Sequence, residues 1–459
     1  MLKIKSAWDE NIIGEVKTHN YDYIDEVLNK AQKKSLTKSK DFPIVKRIEV
    51  LKKFKNKIEQ NIESLAELAT SEGGKPITDS IIEIKRGAEG VESCIEVLKS
   101  ESGNVIPMNI NEASKNRIAF TQLEPIGVVL AISAFNHPFN LIIHQVIPAI
   151  ATGCPVIVKP AEDTPLSCKK ILNMLFECGV PEDMCYFVMP ESLELATKLV
   201  SDSRIDFFSF IGSSKVGWFL RSKLAAGVRC SLEHGGMAPT FITKNSDLDL
   251  CATSIARGGF YHAGQVCVSV QRVFVEKIIS EEYLNKLIKL VKKVKVGDPF
   301  SPQTVVGPII RRNEVDRIDS WVNESVDNGS TLVLGGKKIS DVLYDKTIIL
   351  NPNIDDKVSN SEIFGPVITI NEFQRLDEAI EKANNVDVSF QASIFTNQID
   401  EILKFYQKIN ASAVFHNDHT AFRVDWMPFA GLKHSGHGIG GIKYTMHDMQ
   451  IEKMLVLRR

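Results

Sequence analysis

The chain has 459 residues, 55 basic against 57 acidic for a net charge of -2, and is 44% hydrophobic and 24% charged. That composition suits a globular protein of two or three cooperating units, and the near-cancelling charge gives no footing for a nucleic-acid or anionic-membrane partner. The most apolar stretch, 126–158, is broken by Asn136, His137, Asn140, His144 and Gln145, residues 1–10 lack a signal-peptide core, and the eight cysteines form no CxxC pair, so no membrane span, disulfide or structural zinc is expected and a reducing, cytoplasmic setting fits.

In chain order, the first hundred residues read as helical, with apolar faces formed by Ile24, Val27, Leu28 and Ala31 and by Ile44, Ile48, Leu51, Ile58, Ile62, Leu65 and Leu68. The stretch 117–123 alternates as a strand. After Pro125 short β runs (126–132, 156–159, 186–189, 207–211) alternate with helical segments (140–152, 165–178, 214–224), the pattern of a parallel, doubly wound sheet. A second such series begins near Pro239, with strands at 273–275, 332–334, 367–370, 392–395 and 413–415, preceded by a helix over 248–262. The tail, 451–457, is another strand. The strands at 117–123 and 451–457 fit neither series and are expected to pair outside both. The fold class is therefore α/β, with two doubly wound units, the second starting near residue 235.

Five segments carry candidate chemistry. Cys267, in Gly264-Gln265-Val266-Cys267, offers a thiol nucleophile for a carbonyl carbon, although an isolated cysteine is usually a small buried hydrophobe. Glu233, before Gly235 and Gly236, sits at a turn from which a carboxylate can act as general base; a solvated turn is its plainer role. Asn136, in Phe135-Asn136-His137-Pro138, lies beyond the first parallel strand, where an amide can donate to an oxyanion or simply cap the next helix. Lys159 and Glu162 close the next strand at a spacing that can hold the hydroxyls of a ribose. Gly212-Ser213-Ser214 leads a strand into a helix start, a ready pyrophosphate site, though it is not GxGxxG.

With Glu362-Ile363-Phe364-Gly365-Pro366 and Pro428-Phe429-Ala430-Gly431-Leu432-Lys433 added, the ordered set resembles the aldehyde dehydrogenase superfamily, from about residue 15 to the C-terminus, with a spacing of 34 positions from Glu233 to Cys267 that fits that family. The resemblance implies an NAD(P)-dependent enzyme of the hydrolytic, non-acylating type. Cys267 would be the nucleophile, Glu233 the base and Asn136 an oxyanion donor. Lys159, Glu162, Gly212, Ser213, Glu362 and Phe364 would bind the cofactor, NAD by preference with NADP tolerated. It further implies a cofactor domain of 1–104 and 124–234, a catalytic domain of 235–440, and a small β oligomerisation arm of 105–123 and 441–459 that would make a homodimer or homotetramer.

The chain departs from the family pattern at several places. His234 and Ala430 replace Leu and Gly, and Gln145 and Gly440 stand where many members carry a Lys–Glu pair to which a proton relay is ascribed; Glu233 is then expected to shed its proton to solvent. The aligned substrate tunnel would be lined by His137, Asn140, His144 and Arg423, poor walls for an alkyl aldehyde and suited to a short polar or anionic one. Arg86 is a weaker candidate for the same pocket, a surface arginine being the plainer expectation, and Arg423 has the alternative of pairing with Asp418 or Asp425. His416, His419, His434 and His437 show no metal-ligand spacing, and no metal is expected. Two other functions compete: a CoA-acylating enzyme, which typically lacks the glutamate, and a scaffold retaining only the fold.

Overall fold

The computed structural model describes residues 1–37 and 40–459. One sheet has the order Gly436–His437, Arg229–Glu233, Phe207–Ile211, Val129–Ile132, Val156–Lys159, Cys185–Phe187. All its neighbours run parallel except the Gly436–His437 edge. The chain enters at Val129–Ile132, winds outward to Cys185–Phe187, then returns to the other side at Phe207–Ile211. The reversal opens a crevice beyond the carboxyl ends of the strands. Ser133–Phe139, Lys159, Gly212 and Glu233 all emerge there.

The second sheet has the order Thr331–Leu334, Thr347–Leu350, Val367–Phe373, Val270–Glu276, Ala238–Ile242, Gln391–Phe395, Ala413–His416, parallel except at its first pair. Val105–Ile106, Arg117–Pro125 and Gln450–Arg458 form a separate antiparallel sheet, as the unplaced alternating stretches predicted. The architecture is α/β with two parallel-rich sheets, as expected.

Local signals explain why some boundaries match the sequence and others do not. The helix Pro165–Cys178 has proline in its first turn and stops at Gly179, whose φ is +103°. The first parallel strand starts at Val129 rather than Ile126 because Gly127 takes φ +139° against Asp206, which accepts the Val128 N–H at 2.7 Å. The first hundred residues are not all helical: Leu2–Lys5 and Ile12–Val16 make an antiparallel hairpin. The helix expected over 248–262 ends at Gly258. The segment 441–459 is not wholly an arm. Ile442–Asp448 is a helix whose Ile442 and Met446 are fully buried with Ile143, Val146 and Ile150 in the core of the first unit. Only the strand Gln450–Arg458 leaves that core, and Gly436–His437, expected with the second unit, extends the first sheet.

Candidate active site

Cys267 is held by an unusual loop. After Gly258 the chain passes through His262 (φ 47°), Ala263 (φ 54°) and Gly264 (φ 70°), three consecutive left-handed residues. A Cβ on Gly264 would lie 2.1 Å from the Gly365 carbonyl, so this close approach of two loops requires glycine. Gln265 pins the loop: its Nε2 donates to the Pro308 carbonyl at 3.1 Å and its Oε1 accepts the Ile310 N–H at 3.0 Å. Cys267 emerges partly exposed, whereas Cys94, Cys154, Cys168, Cys178, Cys185 and Cys251 are buried; Cys230 is the other partly exposed cysteine. Burial pushes the Cys267 thiol well above its usual range, the carboxylates of Glu233 and Glu362 add to this, and the Arg423 guanidinium opposes it. The resting thiol is therefore protonated, and it could act as a nucleophile only with a base beside it.

Glu233 ends the strand Arg229–Glu233, next to the Gly436–His437 edge. Burial raises its carboxyl to about 7, with Arg423 opposing, which poises it as a base near neutrality. Its Oε2 would lie 3.3 Å from a Cβ on Gly440, so the missing side chain there leaves room beside the carboxylate. Gln145 is buried, and its Nε2 donates to the Ile132 carbonyl (3.1 Å) and to the carbonyl and hydroxyl of Ser209 (3.1 and 3.0 Å). It ties two strands together at the crevice. Asn136, also buried, donates from Nδ2 to the Gln265 carbonyl at 2.9 Å, two residues before the cysteine. The second hydrogen of that amide is left for another acceptor.

On the cofactor side, Lys159 Nζ is 3.6 Å from Glu162 Oε1; the lysine is largely buried and the glutamate side chain 51% exposed. Gly212 N–H donates to the Glu233 carbonyl at 3.0 Å, and Ser213 is the N-terminal cap residue of the helix Ser214–Arg221, whose first turn carries no acid. His234, in place of the usual leucine, turns a ring edge toward that helix: its Nδ1 is 3.1 Å from the Gly212 carbonyl, and a Cβ on Gly217 would collide with its ring. Glu362 Oε1 accepts the Gly236 N–H at 3.1 Å, and its carboxylate rests so close to Gly235 that no Cβ fits there. Burial raises Glu362 to about 8. Phe364 (φ 49°) stands edge-on to Phe135 at 5.9 Å. A glycine turn at an acid-free helix start, with a lysine and a carboxylate on the adjoining strand end, fits a dinucleotide.

The substrate side differs from expectation. Arg423 pairs with neither Asp418 nor Asp425 among the described residues. Its guanidinium carbon lies 3.8 Å over the Phe429 ring, and its Nη1 is buried without a hydrogen-bond partner. Asn140 and His144, expected to line the substrate tunnel, both reach Asp425: His144 Nε2 is 2.7 Å and Asn140 Nδ2 3.3 Å from its Oδ1. Arg86 is no surface residue, since its Nε and Nη2 grip both oxygens of Asp425 at 3.1 and 2.7 Å. Asp425 itself is fully buried, and these donors hold its carboxyl far below the usual carboxylate range against the opposing effect of burial. His137 sits 3.4 Å from Tyr261 Oη and edge-on to His262, whose buried ring nitrogens have no partner. Tyr261 and His262 were not singled out in the sequence, and Asp425 only as a partner for Arg423; Asp425 joins residues 281 to 339 positions away, a separation no local pattern reveals.

The model of the aldehyde dehydrogenase family matches residues 2–455. A 3-sulfolactaldehyde dehydrogenase of Priestia megaterium is 38% identical over 457 residues, 99% of this chain and 94% of that protein. A lactaldehyde dehydrogenase of Methanocaldococcus jannaschii is 32% identical over 462 residues, 100% of this chain and 97% of that protein. Among solved structures, glyceraldehyde-3-phosphate dehydrogenase GapN of Methanocaldococcus jannaschii, complexed with NADP, is 31% identical with a TM-score of 0.94, covering 100% of this chain and 99% of that one. Aldehyde dehydrogenase 21 of Physcomitrella patens, in complex with the product succinate, is 32% identical with a TM-score of 0.96, covering 100% and 95%. The chain belongs to the aldehyde dehydrogenase family and is an NAD(P)-dependent enzyme.

Proposed function

We propose that this enzyme oxidises a short, anionic aldehyde to its carboxylate, preferring NAD⁺, through a thioester on Cys267. The observation that carries the substrate class is the Arg423 guanidinium, buried with an unpartnered Nη1 and close enough to Glu233 and Cys267 to influence both. A buried guanidinium donor without an acceptor is costly unless a ligand supplies one, and its planar fork matches a carboxylate or sulfonate. The relatives named for sulfolactaldehyde and lactaldehyde, and the neighbour solved with succinate, are in keeping with a short polar substrate.

Glu233 takes the Cys267 proton as sulfur bonds to the carbonyl carbon. The new oxyanion is met by the free N–H of Asn136 and the backbone N–H of Cys267. Bound NAD⁺ supplies the hydride acceptor. Glu233 gives that proton up to solvent, then draws another from the water that attacks the thioester and returns it to the departing sulfur. Each turnover converts one aldehyde, one water and one NAD⁺ into one carboxylate, one NADH and two protons. The space beside Gly440 is the route by which solvent reaches Glu233, in place of a Lys–Glu relay. The base disfavours the CoA-acylating alternative, and the assembled nucleophile, base and amide disfavour a scaffold.

Glu162 is proposed to bond the 2′-hydroxyl of the adenosine ribose and to repel a 2′-phosphate. Residues 1–104 and 124–234 are assigned to the cofactor domain and 235–440 to the catalytic domain, with the antiparallel sheet as the contact between subunits of a dimer or tetramer; exposed Met454, Leu455, Val456 and Leu457 on its outer strand favour such a contact. Among the described residues no helix is long and apolar enough to cross a membrane, and the eight cysteines are unpaired, which suits work in the cytoplasm. NADH absorbance with butanal, succinate semialdehyde and lactaldehyde, each with and without CoA, tests the function. CoA-independent turnover favouring the charged aldehyde is expected; strict CoA dependence or a preference for long alkyl aldehydes would overturn it.

A further inference from the structure

Building on the reading that Arg423 receives the substrate's anion, we infer that the Arg86–Asp425 pair fixes the pocket at one available positive charge, so that the enzyme takes an aldehyde bearing a monoanion, a carboxylate or sulfonate, in preference to one bearing a phosphate dianion.

The inference follows from which charges remain unspent. Arg86 is committed: two of its guanidinium nitrogens lie on the two oxygens of Asp425, a bidentate pair whose carboxylate is fully buried. The same Oδ1 is within hydrogen-bond distance of His144 Nε2 and Asn140 Nδ2, so Asp425 cannot move off Arg86 without stranding donors on three side chains. Burial favours the neutral form of His144, which then donates its Nε2–H and adds no charge. Burial likewise keeps His137 and His262 neutral. Lys75 and Glu83 cancel each other, both fully buried at 2.7 Å.

Arg423 is left as the one cation with an open donor among these groups, facing Glu233 and Asp425. A monoanion matches that charge. A dianion brings a second negative charge that nothing offsets, into a cleft whose nearest other charges are carboxylates. At separations of about 6 Å and an effective dielectric near 20, that mismatch corresponds to roughly 30- to 100-fold in kcat/KM. Asp425 is thus a positioning and charge-setting residue, acting through Arg86 rather than on the substrate.

The test compares kcat/KM for butanal, succinate semialdehyde and glyceraldehyde 3-phosphate in the wild type and in Asp425→Asn. The wild type should prefer succinate semialdehyde to the phosphate substrate by at least about tenfold. In Asp425→Asn, Arg86 is freed and the phosphate-to-carboxylate ratio should rise at least about tenfold, whereas loop damage alone would lower all three rates and leave the ratio unchanged. An unchanged ratio overturns the assignment to Asp425.

If that variant fails to fold, the wild type supplies the second readout. Phosphate passes from monoanion to dianion near pH ~6, so the phosphate-to-carboxylate ratio should fall as pH rises through that point, while any effect of Glu233 is common to both substrates and cancels. A flat or rising ratio, or a wild-type preference for glyceraldehyde 3-phosphate, refutes the monoanion inference but leaves an anionic substrate standing. Butanal used as well as succinate semialdehyde would instead refute the role of Arg423 and the inference with it.

Discussion

Replacing Arg423 by leucine separates two things the guanidinium does. Its Nη1 is buried and unpartnered, the donor proposed for the substrate's anion, and it sits close enough to Glu233 to hold that carboxyl down against burial. Leucine keeps an apolar side chain over the Phe429 ring, so the buried cluster of Val266, Val268, Phe390 and Phe429 stays covered. A lost charge-assisted hydrogen bond is worth about 2–3 kcal/mol, or ~30- to 150-fold in kcat/KM for succinate semialdehyde, and nothing of the kind is lost for butanal. The second effect is shared by both substrates. Glu233, raised to about 7, must be ionised to act as base, so activity climbs as pH rises through that value. Removing the nearby positive charge raises the carboxyl further, and the acid limb of the kcat/KM profile moves to higher pH. The assay is initial NADH formation for both aldehydes from pH 5 to 9. Equal losses for the two aldehydes on the plateau would refute the substrate contact, and an acid limb that stays in place or moves down would refute the coupling to Glu233.

Three further outcomes follow from the geometry. Asn136→Ala should slow acylation by ~10²–10³, seen as a slower single-turnover NADH rise, because one oxyanion donor is removed. Glu162→Ser should raise the NADP⁺-to-NAD⁺ ratio of kcat/KM by relieving repulsion of the 2′-phosphate; a wild type that already favours NADP⁺ contradicts the role given to Glu162. Gly264→Ala should cut kcat steeply while cofactor binding persists, since its Cβ would come within 2.1 Å of the Gly365 carbonyl at a φ of +70° and push the cysteine loop out of place. Unchanged kcat there would mean that the loop tolerates displacement.

Where sequence signals are local, they led to the right structure. The helix over 140–152 and the strand over 207–211 match their observed limits because apolar runs end at Gly153 and Gly212. Asn136, Lys159, Gly212 and Glu233 were legible as a group because each ends or follows a strand of one sheet, and the winding of that sheet puts those strand ends at one crevice. What was missed depends on distance or on backbone shape. The N-terminal hairpin has strands of only four and five residues, too short for alternation to stand out beside the helices that follow. The left-handed run at 262–264 contains a histidine and an alanine, neither of which announces positive φ. Asp425 gathers Arg86, Asn140 and His144 from two distant helices, so a buried acid shared by three side chains could not be read from any local pattern.

The central claim, a thioester on Cys267 resolved by Glu233, is tested most directly by rapid mixing of Glu233→Gln with NAD⁺ and succinate semialdehyde, followed by intact-protein mass. The account predicts one fast equivalent of NADH per active site, then a stall, with an acyl mass increment that maps to Cys267 and is absent in Cys267→Ala. Normal steady-state turnover by Glu233→Gln, or an NADH burst with the acyl group absent from Cys267, would contradict it.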